Sequence, residues 1–302
     1  MRVVIFGGSG LLAVNWALYC RDFHDIHLVL HNRRVHLEGV SFHTVNNIDV
    51  SRVEFLLSAI KPDLVVNTIA LTDVDYCEQN QELAFLTNST LATLIAGVCV
   101  NLDIKLLHIS TDQLFDGEKN QYREDDVCRP INTYGKSKLA AENNILGVCN
   151  KALVVRTNFF GWGTSYRQSY SEFIERTIQQ KSLVYLSPSI FFTPVYLRHL
   201  VEYCMGLAMI GACGIFHVSS DERITKRAFG QMLCVSQKLD PSFISDVELT
   251  VALTKTNCRR PQNMALDNSK LKDALGIENI GISDMLASLE RDRKHRIKIG
   301  LI

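Results

Sequence analysis

The chain reads as an α/β protein on a doubly wound parallel sheet of the Rossmann type, with a smaller C-terminal α/β lobe packed on it. Three observations carry this. Short β-branched runs alternate with helical patterns through the first half, a glycine-rich turn follows the first run directly, and the alternation breaks down after about Gly161. The expected division is 1–160 for a dinucleotide-binding domain, joined by segments returning from the C-terminal half, and 161–302 for the substrate lobe.

Val3-Val4-Ile5-Phe6 opens the series as a strand apolar on both faces, the pattern of a parallel sheet covered on two sides. Leu11 to Cys20 follows as a helix, then Ile26 to Leu30 as a strand, Val53 to Ile60 as a helix and Leu64 to Asn67 as a strand. A helix over Leu83 to Val100 leads to strands at Ile104 to Ile109 and Leu153 to Val155. Beyond Gly161, helical patterns cover Tyr170 to Gln180, Tyr196 to Leu207, Thr225 to Ser236 and Ser283 to Lys294, with strand-like Gly214 to Val218 among them. The basic run Arg291 to Lys298 reads as a solvated helix end.

With 302 residues, 47% of them hydrophobic, the chain can bury a large core. Lys plus Arg equals Asp plus Glu at 32 each, so no global field favours nucleic acid or an anionic membrane. Nine cysteines without a CxxC suit a reducing compartment, and nine histidines without an HExxH argue against a metal site. The opening resembles a signal peptide, but Gly7, Gly8 and Gly10 interrupt its apolar run, and Tyr203 to Phe216 falls short of the roughly 20 residues that span a bilayer. A cytoplasmic protein with neither nucleic acid nor membrane as partner is expected; pairing into a homodimer stays open.

The turn Gly7-Gly8-Ser9-Gly10-Leu11-Leu12-Ala13 joins the first strand to the first helix, where backbone N–H groups can approach a pyrophosphate. Gly7, Gly10, Leu11 and Leu12 are the expected contacts. An NAD site usually carries a carboxylate at the end of the second strand; here that strand ends in His31-Asn32-Arg33-Arg34. Asn32, Arg33 and Arg34 suit a 2′-phosphate better than a bare hydroxyl, so NADPH is expected over NADH.

Tyr134 and Lys138 lie four apart, so on a helix the phenol and the ammonium share a face, and a fixed cation eases loss of a phenolic proton. Ser110-Thr111-Asp112 closes a strand and brings its polar groups to the edge where open α/β sheets bind ligands.

Taken with Asn67 to Glu78, Ser110 to Gly117, Pro130 to Glu142 and Arg156 to Gly161, these residues resemble the extended short-chain dehydrogenase/reductases, specifically the dTDP-4-dehydrorhamnose reductase-like group, over nearly the whole chain. The resemblance implies a reductase of a nucleotide-diphosphate 4-keto-6-deoxy sugar. Thr111, Tyr134 and Lys138 would be catalytic, Lys138 would lower the phenol pKa and hold the nicotinamide ribose, and Ala70 and Thr72 would line the cofactor cleft. Asp49-Val50 has two readings, a helix cap or a place beside the adenine. Thr111, Asp112, Gln113, Asn158, Trp162 and Arg260 are the expected substrate contacts, with Arg259 and Arg260 able to clamp a diphosphate or to be a surface pair. Gln113 departs from the family, which commonly has Tyr there, and so bears on the identity of the sugar. The same resemblance admits a regulatory subunit that binds a partner enzyme, or an epimerase.

Overall fold

A computed structural model describes residues 1–247 and 258–298. Positions 248–257 and 299–302, counted above in the C-terminal lobe, lie outside the described residues.

Seven parallel strands form the main sheet: β1 (Arg2–Phe6), β2 (Asp25–Leu30), β3 (Ser41–Thr44), β4 (Leu64–Asn67), β5 (Lys105–Ile109), β6 (Leu153–Thr157) and, from the C-terminal half, β11 (Gly214–Val218). Their order is β11-β6-β5-β4-β1-β2-β3, so the winding reverses between β1 and β4, where crossovers leave to opposite sides and open a crevice. The central strands are mostly apolar because both faces are covered. Val3, Ile5, Val66 and Leu107 face a core shared with Trp16 of α1 (Leu11–Cys20) and Leu200 of α8 (Leu197–Met209). Val4, Phe6, Val65 and Leu106 face the other way, onto Val53 and Leu57 of α2 (Val50–Ile60), Ile95 of α5 (Leu91–Asn101) and Ile145 of α6 (Thr133–Val148). Each such side chain contributes about 1.5–3 kcal/mol when fully buried.

The helix expected over Leu83 to Val100 is interrupted. After α3 (Val74–Gln79), it runs as α4 (Gln81–Phe85), a π turn at Leu86–Thr90, and α5. Among the described residues this 21-residue stretch, Gln81–Asn101, rather than Tyr203 to Phe216, is the one long and apolar enough by composition to cross a membrane; Ala92, Ile95, Ala96, Val98 and Cys99 on it pack into the core. The short elements β3, α3 and the helix at Ser269–Leu275 add to those expected from the sequence. Edge strand Ser41-Phe42-His43-Thr44 is only partly covered and lacks the apolar run that marked the others.

In the C-terminal half, β7 (Phe159–Phe160) pairs with β10 (Val195–Tyr196), β9 (Phe191–Phe192) with β12 (Ile224–Thr225), and β8 (Val184–Leu186) with β13 (Ile244–Asp246). Helices α7 (Tyr170–Gln179), α9 (Lys226–Gln237), α10 (Ser269–Leu275) and α11 (Ile282–Lys298) complete it. Of the basic run Arg291 to Lys298, Arg293 is not simply solvated: it pairs with Glu175 of α7 at 2.6 Å and with Glu290 of its own helix at 2.9 Å, while the side chains of 294–298 lie outside the described ones.

Helix α6 is fixed at both ends. Asn132 caps it through Gly135 N–H at 2.8 Å, and Glu78 accepts from Thr133 N–H at 2.9 Å. Gly135 carries no side chain because a Cβ there would press into the Gln113 carbonyl oxygen. Farther along, Glu142 receives Arg156 of β6 in a fork, Nε at 3.1 Å from each oxygen and Nη2 at 2.8 Å, both side chains almost wholly buried. Glu142→Ala strands that guanidinium, and the unfolding free energy should fall by about 3–5 kcal/mol in urea titration, with most of the loss recovered in Glu142→Ala/Arg156→Leu. Equal losses in the single and double variants would refute the pairing.

Candidate active site

A cavity of about 1130 Å³ lies at the carboxyl edge of the sheet, across the β1/β4 crevice. Gly7, Gly10, Leu11 and Leu12 form one end of its wall, Ala70 and Thr72 the loop after β4, and Thr111, Asp112, Gln113, Tyr134, Lys138 and Asn158 the other end. Most of the residues expected at the site therefore meet in one space.

At the glycine end, Gly7 has φ +83°, and a Cβ there would stand 2.7 Å from Thr68 Oγ1. Gly10 is the N-cap of α1 and offers no side-chain cap, nor is there an acidic residue in the first turn, so the N–H groups of that turn face the cavity free for an anion. Ser110 Oγ, on the same wall, is buried without a partner among the described residues. A cradle closed to any side chain and an orphaned hydroxyl both fit a bound dinucleotide.

At the other end, Thr111 hydroxyl donates to Asp112 Oδ1 at 3.2 Å, and Asn158 Nδ2 donates to Oδ2 at 2.6 Å. Burial nonetheless holds the Asp112 carboxyl up to about 6, against the pull of Asn158 and of the Lys226 charge. Tyr134 packs among Val74, Cys77, Ala84 and Cys258. Burial pushes its phenol up to about 12, a side-chain contact with Thr111 acting against that and the Asp112 charge adding to it. The phenol is thus protonated at neutral pH, as a proton donor must be.

Lys138 is engaged by strand β5. Its side-chain nitrogen lies 3.0 Å from His108 Nε2 and donates to the Ile109 carbonyl at 2.8 Å. Burial brings Lys138 itself down to about 8, with Glu142 opposing.

Other expected contacts stand elsewhere. Of the two readings of Asp49, the cap is realised: it accepts from Arg52 N–H at 2.9 Å, and Val50 is half exposed on the outer surface. The wall there is made by His31, Asn46, Asn47 and Ile48 instead. Asn32, Arg33 and Arg34 are exposed and off the wall, Arg33 lying 4.2 Å over the Tyr166 ring. Trp162 is core, its indole N–H donating to Leu289 O at 3.3 Å and its ring under Arg293 at 4.7 Å. Arg260 is not on the cavity wall and pairs with Asp75 at 2.7 Å, since the chain after residue 257 runs beside α3.

Three features escaped the sequence. The π turn swings Asn88 inward, where Oδ1 accepts from Leu71 N–H at 2.6 Å and Nδ2 donates to Ser137 Oγ at 2.9 Å, tying the loop after β4 to α6. A turn at 164–167 clasps the cavity mouth: Tyr166 hydroxyl donates to Ser9 O at 2.7 Å and Arg167 to Thr72 Oγ1 at 2.8 Å. Lys226 sits 3.4 Å over Phe192 and 4.8 Å over Tyr170, within the field of Asp112. Only a π-prone break in helix propensity around Asn88-Ser89-Thr90 could have hinted at the first.

Comparison with known proteins finds the RmlD substrate binding domain matching residues 1–290. A probable low-salt glycan biosynthesis reductase of Haloferax volcanii is 33% identical over 82% of this chain and 83% of its own. Methionine adenosyltransferase 2 subunit beta of Danio rerio is 28% identical over 98% of this chain and 93% of its own. Among solved structures, dTDP-4-dehydrorhamnose reductase from Bacillus anthracis in complex with NADP superposes with a TM-score of 0.82, at 21% identity, covering 96% of this chain and 99% of that one.

The raised Asp112 carboxyl has a stability consequence. With a folded pKa of about 6 above an unfolded value near 3.9, the folded state favours the protonated form. That contribution is complete below about pH 4 and is lost as pH rises through about 6. Relative to wild type, Asp112→Asn should therefore gain on the order of 2–3 kcal/mol in unfolding free energy between about pH 4 and about pH 7. A difference independent of pH would show that Asp112 ionises as freely as in the unfolded chain.

Proposed function

The chain belongs to the RmlD substrate binding domain family, and on that premise we propose that it reduces the 4-keto group of a nucleotide-activated 6-deoxy sugar with NADPH. The observation that carries this is the meeting, in one cavity, of the Gly7–Gly10 turn with Thr111, Tyr134 and Lys138. Residues 1–160 with the returning strand β11 form the cofactor half, and the remainder forms the substrate half.

The cofactor would be held at its pyrophosphate by the open N–H groups of α1 and at its adenosine end by the wall around His31 and Asn46; the exposed Arg33 and Arg34, a few residues past His31, would turn to a 2′-phosphate. It supplies hydride to the ketone carbon when bound. Tyr134 delivers the proton to the carbonyl oxygen, and its high pKa keeps that proton present until charge develops there. Thr111 donates to the same oxygen, which requires its hydroxyl to leave Asp112 Oδ1. Lys138 holds the ribose and, once beside the phenol, stabilises the phenolate left behind. Gln113 and Asn158 stand on the wall toward the substrate half, and Gln113, in place of the family's common Tyr, offers an amide where a ring would stack.

The similarity to methionine adenosyltransferase 2 subunit beta favours a second reading, a dinucleotide-binding subunit of a partner enzyme. The two are separated by following nicotinamide absorbance with dTDP-, UDP- and GDP-linked 4-keto-6-deoxy sugars. Oxidation of NADPH with one of them is expected, and Tyr134→Phe should slow that turnover by a factor of roughly 10² to 10⁴. Oxidation with none would move the reading to the regulatory subunit, and an unimpaired Tyr134→Phe would remove the phenol from the chemistry. Arg33→Ala/Arg34→Ala should weaken NADPH binding by about tenfold or more while leaving NADH nearly unchanged; equal effects on both would dismiss the 2′-phosphate role.

A further inference from the structure

Behind the cavity, a buried chain of hydrogen bonds runs from the loop after β4 to Lys138. Asn67 and His108 are register partners on β4 and β5, and Asn67, His108 and Lys138 are each at most 1% exposed. Ile69 N–H donates to Asn67 Oδ1 at 3.0 Å. A backbone N–H can only donate, so this contact fixes the amide: the atom facing His108 Nδ1, at 3.1 Å, is Nδ2, also a donor. His108 Nδ1 must therefore present a lone pair.

A neutral imidazole with Nδ1 bare carries its hydrogen on Nε2, and that N–H points at Lys138 Nζ, 3.0 Å away. An ammonium there would set N–H against N–H. A free amine accepts that hydrogen with its lone pair and still donates to the Ile109 carbonyl at 2.8 Å. The opposite polarity, with the lysine donating to Nε2, would need hydrogen on Nδ1, which collides with the Asn67 amide. An imidazolium would be worse, since both ring nitrogens would then donate in a site closed to water.

We propose that Asn67 and His108 hold Lys138 as a neutral amine engaged with strand β5, and that the lysine takes up one proton from solvent when it leaves His108 for the ribose of a bound dinucleotide. His108 is a positioning residue in this scheme: it touches neither cofactor nor substrate and sets the charge of the group that does. The step balances as amine plus one solvent proton giving ammonium, and above about pH 8 the cation is loaded only when the cofactor is in place. The charged and titratable groups around Lys138 are His108 from β5, Glu142 on its own helix with Arg156 of β6 beyond, and Tyr134 one turn back with Asp112, Cys77 and Arg167 around it. Burial favours the neutral amine and Glu142 opposes it, leaving Lys138 near 8 in this position, against about 10.4 for a solvated lysine. The proton is therefore taken up between about pH 8 and about pH 10.

The inference rests on the cofactor reading above, and two measurements keep the two apart. In protein without added nucleotide at pH 9, ¹⁵N NMR of labelled histidine, with His108 identified by its loss in His108→Gln, should show Nε2 protonated and Nδ1 bare; hydrogen on Nδ1 overturns the proposal whatever the protein binds. Calorimetry of NADPH binding at pH 9, in two buffers of different ionisation enthalpy, should then show close to one proton taken up per site. In His108→Gln, whose amide oxygen can accept from an ammonium, the uptake should fall to a third or less. Binding without uptake, or equal uptake in both proteins, overturns the inference and leaves the reductase reading standing. No binding of NADPH overturns the cofactor reading and this uptake with it, while the tautomer still tests the parked lysine.

Discussion

The Arg156–Glu142 fork decides where α6 lies, and the position of α6 decides the site. That ion pair is buried between the helix and β6, so neither charge has water to fall back on and the helix cannot slide without leaving one of them bare. At the other end, the missing side chain of Gly135 lets the helix start press onto the Gln113 carbonyl, while Asn132 and Glu78 satisfy its first N–H groups. Tyr134 and Lys138 stand on the helix between these two anchors. Their distance from Thr111 and from the glycine turn is thus a property of the core rather than of a mobile loop.

The cavity is closed from the other side by chain far away in sequence. Tyr166 reaches Ser9 across 157 residues and Arg167 reaches Thr72 across 95, so one short turn touches both walls of the crevice. Arg33 stacking on Tyr166 adds the end of β2 to the same clasp. Asn88, swung inward by the π turn, ties the loop after β4 to α6 in the same way. Each contact is worth only about 1 kcal/mol alone. Together they join the two halves of the chain around the space where a dinucleotide fits.

Burial sets the protonation of the site. It keeps the Tyr134 phenol protonated, raises Asp112 into the range near neutrality and lowers Lys138, so two groups that would be fully committed in water are poised to exchange protons beside a phenol that holds its own. The polarity of the Asn67–His108 pair then chooses among these states for Lys138, through the direction of hydrogen bonds rather than through net charge.

Much of this was legible in the sequence because it is encoded over short distances. Runs such as Val3 to Phe6 and Leu64 to Asn67 announce strands covered on both faces, Gly7 to Gly10 announces a turn that admits a phosphate, and the four-residue spacing of Tyr134 and Lys138 announces a shared helix face. What residues do to partners across the chain was settled only by packing. Asp49 became a cap, Trp162 a core residue and Arg260 the partner of Asp75, 185 residues away, because those neighbours arrive with the fold. Lys138 makes the same point within the site. Its position on the helix follows from period alone, but whether its charge serves the phenol or yields to His108 depends on which strand lies behind it, since a buried charge answers to its nearest partners.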